Sequence, residues 1–329
     1  MSAHYNTHPS LPLDQLELAP LSTISWSKLE ANDPAETQRL LDACMQEGFF
    51  YLNLQGTQLV AKEYTLLDMM KNYFHQPHEV KMEDHSESVT DGCAFYLFCL
   101  PTYKLSDTAD SRLSAGTLER ASTLGTAARL ALQISYQNLI EKSPEVPGTI
   151  NKNYELVSNW VFNSQSITKT ILSRLSDAFE LQGSARFENN HREEKESTTT
   201  LVMLHYPQNS NADCGGLNPH TDVGSLTLLF TPQWGLQVWS PTKKDREWLW
   251  VEPRPGHAIV NVGDTLRFLS GKRLMSCVHR VLPTSGQNQE EDRYSIAYLI
   301  RAESDVTFKD SRRTITTARC CLEGCRRFW

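Results

Sequence analysis

The chain has no apolar run of about 18 residues, the length a bilayer-crossing helix needs, so nothing in it reads as a membrane span. Its first ten residues, Met1 to Ser10, are polar and lack the apolar core of a secretory signal. The eight cysteines, at 44, 93, 99, 214, 277, 320, 321 and 325, contain no C-x-x-C pair and no histidines at matching spacing. A structural zinc site fails on that spacing. A disulfide scaffold fails on the expected compartment, and there is no dense framework of the kind short secreted chains carry. The thiols are expected to be reduced, scattered and mostly buried as small apolar groups. Positive charge is also in short supply: 32 Lys+Arg face 39 Asp+Glu, a formal charge of −7, which argues against nucleic-acid partners. There is no internal repeat, and Gly and Pro are ordinary at 16 and 15, which excludes a collagen-like or low-complexity chain.

What is present is a mixture of 40% apolar and 22% charged residues over 329 positions, enough to bury a full core as one large domain or two small ones. The expectation is a soluble, cytoplasmic globular protein.

The texture changes near residue 197. Before it, apolar residues recur at helical spacing. Leu40, Leu41, Cys44 and Met45 lie in Thr37 to Gly48, and Leu59, Leu66, Leu67, Met70 and Phe74 in Thr57 to Phe74. The third set, Val161, Phe162, Ile167, Ile171, Leu172, Leu175 and Phe179, lies in Asn159 to Leu181. Phe49 to Leu54 reads as a short strand between two of these helices. Asp84 to Thr126 has no clean period and reads as loops with short pieces of structure, and His191 to Glu196 as a solvated, charged loop. After Ser197 the period becomes two. Thr199–Tyr206, Ser225–Phe230, Gly235–Trp239, Trp248–Val251, Ala258–Val262, Thr265–Ser270 and Arg293–Ile300 are predicted strands, most of them punctuated by Gly, Pro, Asn or Asp. Helices first and a double-sheet jelly roll second make an α+β chain. The predicted boundaries are a mostly helical region over 1–196, the core over 197–302 and a tail over 303–329.

Chemistry concentrates in the core. In Asn218-Pro219-His220-Thr221-Asp222-Val223-Gly224, a His and an Asp stand two apart beside a strand, where residues i and i+2 share a side. A distal His279 follows in a strand-like run. Two imidazoles and one carboxylate on one face leave coordination positions open, as in the facial triad of non-haem Fe(II) oxygenases. The pair alone is weak, since about one such chain in two would carry an H-x-D by chance. Rival pairs also exist at His85/Glu87 and His191/Glu193, both in polar, loop-like text, and His257 could replace His279 as a ligand. Past His279 comes Arg293-Tyr294-Ser295; on a strand its guanidinium and hydroxyl face one way and can clamp a carboxylate. Trp234, Trp239, Trp248 and Trp250 cluster together, and are read as packing over the barrel or as one ring lining an aromatic pocket.

With these motifs the chain resembles the 2-oxoglutarate/Fe(II)-dependent dioxygenases of the isopenicillin N synthase-like family, particularly its fungal natural-product members. The specific text is Leu204-His205-Tyr206-Pro207, His220-Thr221-Asp222, Ser225 to Leu229, Gly235-Leu236-Gln237-Val238, Val260 to Asp264, His279-Arg280-Val281 and Arg293-Tyr294-Ser295. Gly48 to Tyr51 and Glu79 to Met82 add weaker likeness. The resemblance implies a distorted double-stranded β-helix holding Fe(II) at His220, Asp222 and His279. It implies 2-oxoglutarate as co-substrate, its far carboxylate meeting Arg293 and Ser295 with the Tyr206 hydroxyl assisting. It also implies O2 and a small-molecule substrate as partners, ascorbate as a useful reductant in vitro, and a monomer or weak homo-oligomer with no nucleic-acid or membrane partner. The expected reaction couples decarboxylation to succinate and CO2 with hydroxylation, desaturation, epoxidation or ring expansion of a natural product.

Two departures stand out. Leu204 occupies a position where the family often has Asn, and the stretch from Arg301 to Trp329, with seven Lys+Arg, four Asp+Glu and Cys320-Cys321-Leu322-Glu323-Gly324-Cys325, does not resemble the usual closing helix. Two competing readings stay open: a family oxidase that uses iron and O2 without 2-oxoglutarate, and a non-catalytic jelly-roll binding module.

Overall fold

A computed structural model describes residues 16–84, 92–96, 129–207, 216–240, 247–282, 292–309 and 315–317. Strand β1 (Thr23–Ser25) leads into helices α1 (Trp26–Glu30) and α2 (Pro34–Gln46), then β2 (Phe49–Asn53), α3 (Gln58–Phe74) and α4 (His78–Glu83). Strands β3 (Gly92–Tyr96) and β4 (Arg129–Ser135) follow, then helices α5 (Tyr136–Glu141), α6 (Gly148–Lys152) and α7 (Tyr154–Ala178). Next come β5 (Thr200–Tyr206), β6 (Leu217–His220), β7 (Leu226–Phe230), β8 (Leu236–Trp239), β9 (Trp248–Trp250) and β10 (His257–Val262). Helix α8 (Asp264–Leu269), β11 (His279–Val281), β12 (Arg293–Ile300), β13 (Thr307–Lys309) and β14 (Ile315–Thr317) complete the described chain.

The strands form an eight-stranded sheet ordered β1-β2-β10-β7-β12-β5-β4-β3 and a four-stranded sheet ordered β6-β11-β8-β9, with β13 and β14 as a separate pair. Side chains alternate across a strand, so the large sheet has two faces with two different tasks. On β12, Tyr294, Ile296, Tyr298 and Ile300 join the core beneath the helices, while Arg293, Ser295, Ala297 and Leu299 line a cavity on the other face. On β2, Phe50 and Leu52 face the helices while Phe49 and Tyr51 join a second core with Leu236, Val238 and Val281 of the small sheet. The cavity therefore lies between the two sheets, and the helices brace the large sheet from behind.

Helix α7 is the main brace. Val157, Trp160, Val161, Ile167, Ile171, Leu172 and Leu175 are buried along it, each contributing about 1.5–3 kcal/mol of burial at this size. Trp160 meets Phe230 of β7 edge-on at 5.0 Å. Phe162, expected on the same stripe, is instead 42% exposed, because one residue beyond buried Val161 is a turn of about 100° around the axis.

Three further expectations are corrected. The predicted strand Thr265–Ser270 is helix α8. Its β-branched start yields to tertiary contacts: the first amides, Asp264 and Thr265, donate to the carbonyls of Asp222 (2.7 Å) and Gly224 (3.1 Å). Gly263 permits that crossing, since a Cβ there would sit 2.1 Å from the Gly224 carbonyl oxygen. Second, strand β4 went unread, although Leu130, Leu132 and Ile134 alternate onto the helix side. Four of the eight strands in the large sheet thus come from before residue 197.

Third, His191 is not a solvated loop residue. It is 2% exposed; its Nδ1–H donates to the Phe187 carbonyl and its Nε2 accepts from the Ser225 hydroxyl, both at 2.7 Å. A carbonyl can only accept, which fixes the neutral tautomer. Burial pushes this imidazole down to about 4, against the opposing pull of the Phe187 carbonyl and Glu303. The unfolded chain, with its histidine near the ordinary value of about 6.5, then takes up the proton first. Stability is full above that value and is lost as pH falls toward 4, by about 3 kcal/mol. Thermal melts should show the advantage of wild type over His191→Gln narrowing across this window; a gap independent of pH would contradict the account.

Candidate metal centre and cavity

Strand β6 ends at His220, and the pairing of β11 with β6 sets His279 directly opposite it. Asp222 lies two residues further, in the turn before β7. Its Oδ1 stands 3.7 Å from His220 Nε2 and 3.6 Å from His279 Nε2, and one donor atom from each residue falls within 4.8 Å of the others. The two rings are 4.2 Å apart between centroids.

Both imidazoles are oriented in the same way. His220 Nδ1–H donates to the Asn218 carbonyl at 2.7 Å and His279 Nδ1–H to the Cys277 carbonyl at 3.3 Å, each two residues upstream. Both Nε2 lone pairs are thereby turned to the shared point. The second oxygen of Asp222 accepts from Thr227 Oγ1 and from Asn261 Nδ2 at 2.7 Å, so its first oxygen faces the histidines. Burial alone would raise this carboxyl, but His279, His220, Asn261 and Thr227 together outweigh it and hold it at about 2. The turn itself is pinned by α8, where Asp264 also accepts from the Thr221 hydroxyl at 2.9 Å. Two imidazole nitrogens and one fixed carboxylate oxygen would suit a divalent first-row metal and leave positions for further ligands.

A cavity of about 290 Å³ opens from this triad between the sheets. Arg293 lines it, opposite Tyr206 in the β12–β5 register, with Ser295 two residues on and opposite Leu204. The guanidinium is 2% exposed and lies 4.9 Å over the Tyr206 ring. Its Nε–H donates to the Trp234 carbonyl at 2.9 Å, and Nη1 has no partner. Burial is the main influence on it and lowers its proton affinity, with the Tyr206 hydroxyl opposing. Gly235 makes room for it: at φ +131° a Cβ would lie 2.9 Å from Arg293 Nε. A buried cation with an idle donor fits a ligand carboxylate.

The rival residues are elsewhere. His191 is committed to Phe187 and Ser225, while Glu193 accepts from Tyr136 and Lys169. His257 donates to the Pro255 carbonyl and packs on Tyr51. None of the four tryptophans lines the cavity: Trp239 packs edge-on to Trp248, and the Arg280 guanidinium lies 4.1 Å from the Trp248 ring. His85, Glu87 and Cys320 to Cys325 lie outside the described residues. Sequence reading gave no role to Thr227, Asn261, Gly235 or Gln133. An Asn inside the apolar run Ile259 to Val262 was the available signal for Asn261.

A double-sheet jelly roll that turns two imidazoles and a carboxylate onto one point, with a buried arginine across the cavity, has the architecture of a non-haem oxygenase. The model of the 2OG-Fe(II) oxygenase superfamily matches residues 197–302. The 2-oxoglutarate-dependent dioxygenase gloE of Glarea lozoyensis is 39% identical over 309 residues, 93% of this chain and 87% of that protein. The 2-oxoglutarate-dependent dioxygenase iboH of Amanita muscaria is 62% identical over 174 residues, 53% of this chain and 84% of that protein. Among solved structures, full-length T7H of Neurospora crassa in complex with alpha-KG superposes with a TM-score of 0.70 at 20% identity, over 96% of this chain and 98% of that one. The chain belongs to the 2OG-Fe(II) oxygenase superfamily, and it is an iron- and 2-oxoglutarate-dependent oxidoreductase.

Proposed function

We propose that His220, Asp222 and His279 hold Fe(II), that Arg293, Ser295 and Tyr206 hold the far carboxylate of 2-oxoglutarate, and that the enzyme oxidises a small natural-product molecule in secondary metabolism. The observation that carries this is the convergence of three donor atoms within 4.8 Å at the wall of a cavity that also contains a buried, partly unpaired guanidinium. The iron, when bound, supplies O2 activation coupled to decarboxylation of the co-substrate to succinate and CO2. The chain's own part is positional. Asn218 and Cys277 carbonyls keep the ligand imidazoles in one tautomer; Thr227 and Asn261 keep the carboxylate aimed. Leu204, Val202, Leu229 and Leu299 keep water from the reacting region.

The oxidase and binding-module readings lose ground because relatives spanning nine-tenths of the chain are 2-oxoglutarate-dependent dioxygenases by name. The partners are then a small-molecule substrate, 2-oxoglutarate and O2. The reading is completed by a cytoplasmic monomer or weak homo-oligomer, without nucleic-acid or membrane partners. Purified protein with Fe(II), ascorbate and 2-oxoglutarate, screened by mass spectrometry against small molecules, should release one succinate per O2 consumed. Oxygen uptake with no succinate would turn the reading to the oxidase.

A further inference from the structure

Gln133 is a polar group of the cavity wall that takes no part in the arrangement above. Gln133, on β4, is 3% exposed, lines the cavity, and its Nε2 has no hydrogen-bond partner. A buried amide N–H without an acceptor is costly, and protein interiors rarely keep one. Among the described residues no acceptor reaches it: the hydroxyls of Ser135 and Thr200, in the next row on the same face, bond to the Asn138 amide and the Ile134 carbonyl. In the sheet register Gln133 pairs with Val202, Val202 with Ala297, and Ala297 with Leu229, so one row across four strands carries a single polar side chain, at its end. The row on the other side contributes Ala131 and Leu204, and reaches a polar side chain only at Ser295 on β12.

Position indicates which molecule meets this amide. Arg293 and Ser295 stand on β12, whereas β4 is two strands away, about 10 Å by strand spacing. Building on the dioxygenase reading, a co-substrate held between the triad and Arg293 lies along the β12 column, and the space before Gln133 belongs to the second molecule. We propose that Gln133 is a specificity-determining residue: its amide donates to an oxygen acceptor, a carbonyl or carboxylate, on an otherwise largely hydrocarbon substrate. One donor in an apolar wall fixes orientation more than it adds affinity, so this contact selects which C–H bond faces the metal site.

The test uses three probes of one skeleton, cyclohexanone, cyclohexanecarboxylate and cyclohexane, on the full chain loaded with Zn(II) as a diamagnetic stand-in. The Gln133 side-chain NH2 resonances in a 15N-labelled sample are assigned by their disappearance in Gln133→Met. They should shift with the two oxygen-bearing probes, stay in place with cyclohexane, and stay in place when 2-oxoglutarate alone is added. Gln133→Met should weaken the oxygen-bearing probes about fivefold or more and leave cyclohexane and 2-oxoglutarate binding unchanged. A shift on co-substrate addition alone would reassign the amide to 2-oxoglutarate, and absence of any shift with the oxygen-bearing probes would also overturn the proposal. The probe shifts are read with and without co-substrate. A protein that fails to bind 2-oxoglutarate at all thus refutes the dioxygenase reading separately, and the amide is still judged by the probes.

Discussion

His279→Ala, His220→Ala and Asp222→Ala should each fold, lose iron and release no succinate above background. Each removes one of three protein donors from a site where no fourth His, Cys, Asp or Glu among the described residues stands ready to substitute. Losing a group that merely orients a metal ligand costs about 10–100-fold in affinity or activity, so loss of a ligand itself should exceed that range. Folding should survive because the cores on both faces of the large sheet are built from other residues. Asp222→Ala carries the larger structural risk, since it strips an acceptor from Thr227 and Asn261 together. Asp222→Asn retains the shape and serves as its control. Metal content and melting temperature, measured on the same preparations, separate a lost ligand from a lost fold. Near wild-type turnover in any one alanine variant, with iron saturating, would refute the triad.

Much of this site could be read from the chain because its key residues are linked by short-range geometry. His220 and Asp222 are neighbours in sequence, and Arg293 and Ser295 share a face through the strict alternation of β12. The argument from alternation was nevertheless only half right for the first pair. Strand β6 stops at His220, and Asp222 reaches the same point through a turn held by α8. That helix was misread as a strand, since Thr265 looks β-prone in isolation while the contacts that make it helical come from residues about 40 positions earlier. His191 failed for a related reason: its sequence neighbours are charged, but its partner is Ser225 on another element. Charge in the surrounding text says how wet a segment is on average and nothing about one side chain turned inward. Gly235 and Gln133 matter through what stands opposite them, across a cavity that exists only once both sheets are assembled.

Arg293→Leu should raise the 2-oxoglutarate requirement a hundredfold or more while iron binding stays largely intact. The guanidinium is held rigidly by the Trp234 carbonyl on one side and the Tyr206 ring on another. No carboxylate of the described residues pairs with it, and its Nη1 is left open to an anionic ligand. Removing one member of a buried, hydrogen-bonded charge pair costs about 3–5 kcal/mol, which sets the expected loss of affinity. Arg293→Lys should fall between wild type and the leucine variant, because an ammonium restores charge without the two-pronged geometry a carboxylate matches. The leucine variant should still bind iron, since the triad sits on β6, β11 and the turn after β6, none of which Arg293 holds in place. Titrating 2-oxoglutarate into anaerobic, iron-loaded protein and following the visible charge-transfer band gives the affinity directly, with melting temperature as the check on folding. Unchanged co-substrate affinity in the leucine variant, with weakened binding of the organic substrate, would mean that Arg293 holds the substrate's own carboxylate, and would move the enzyme to the oxidase class.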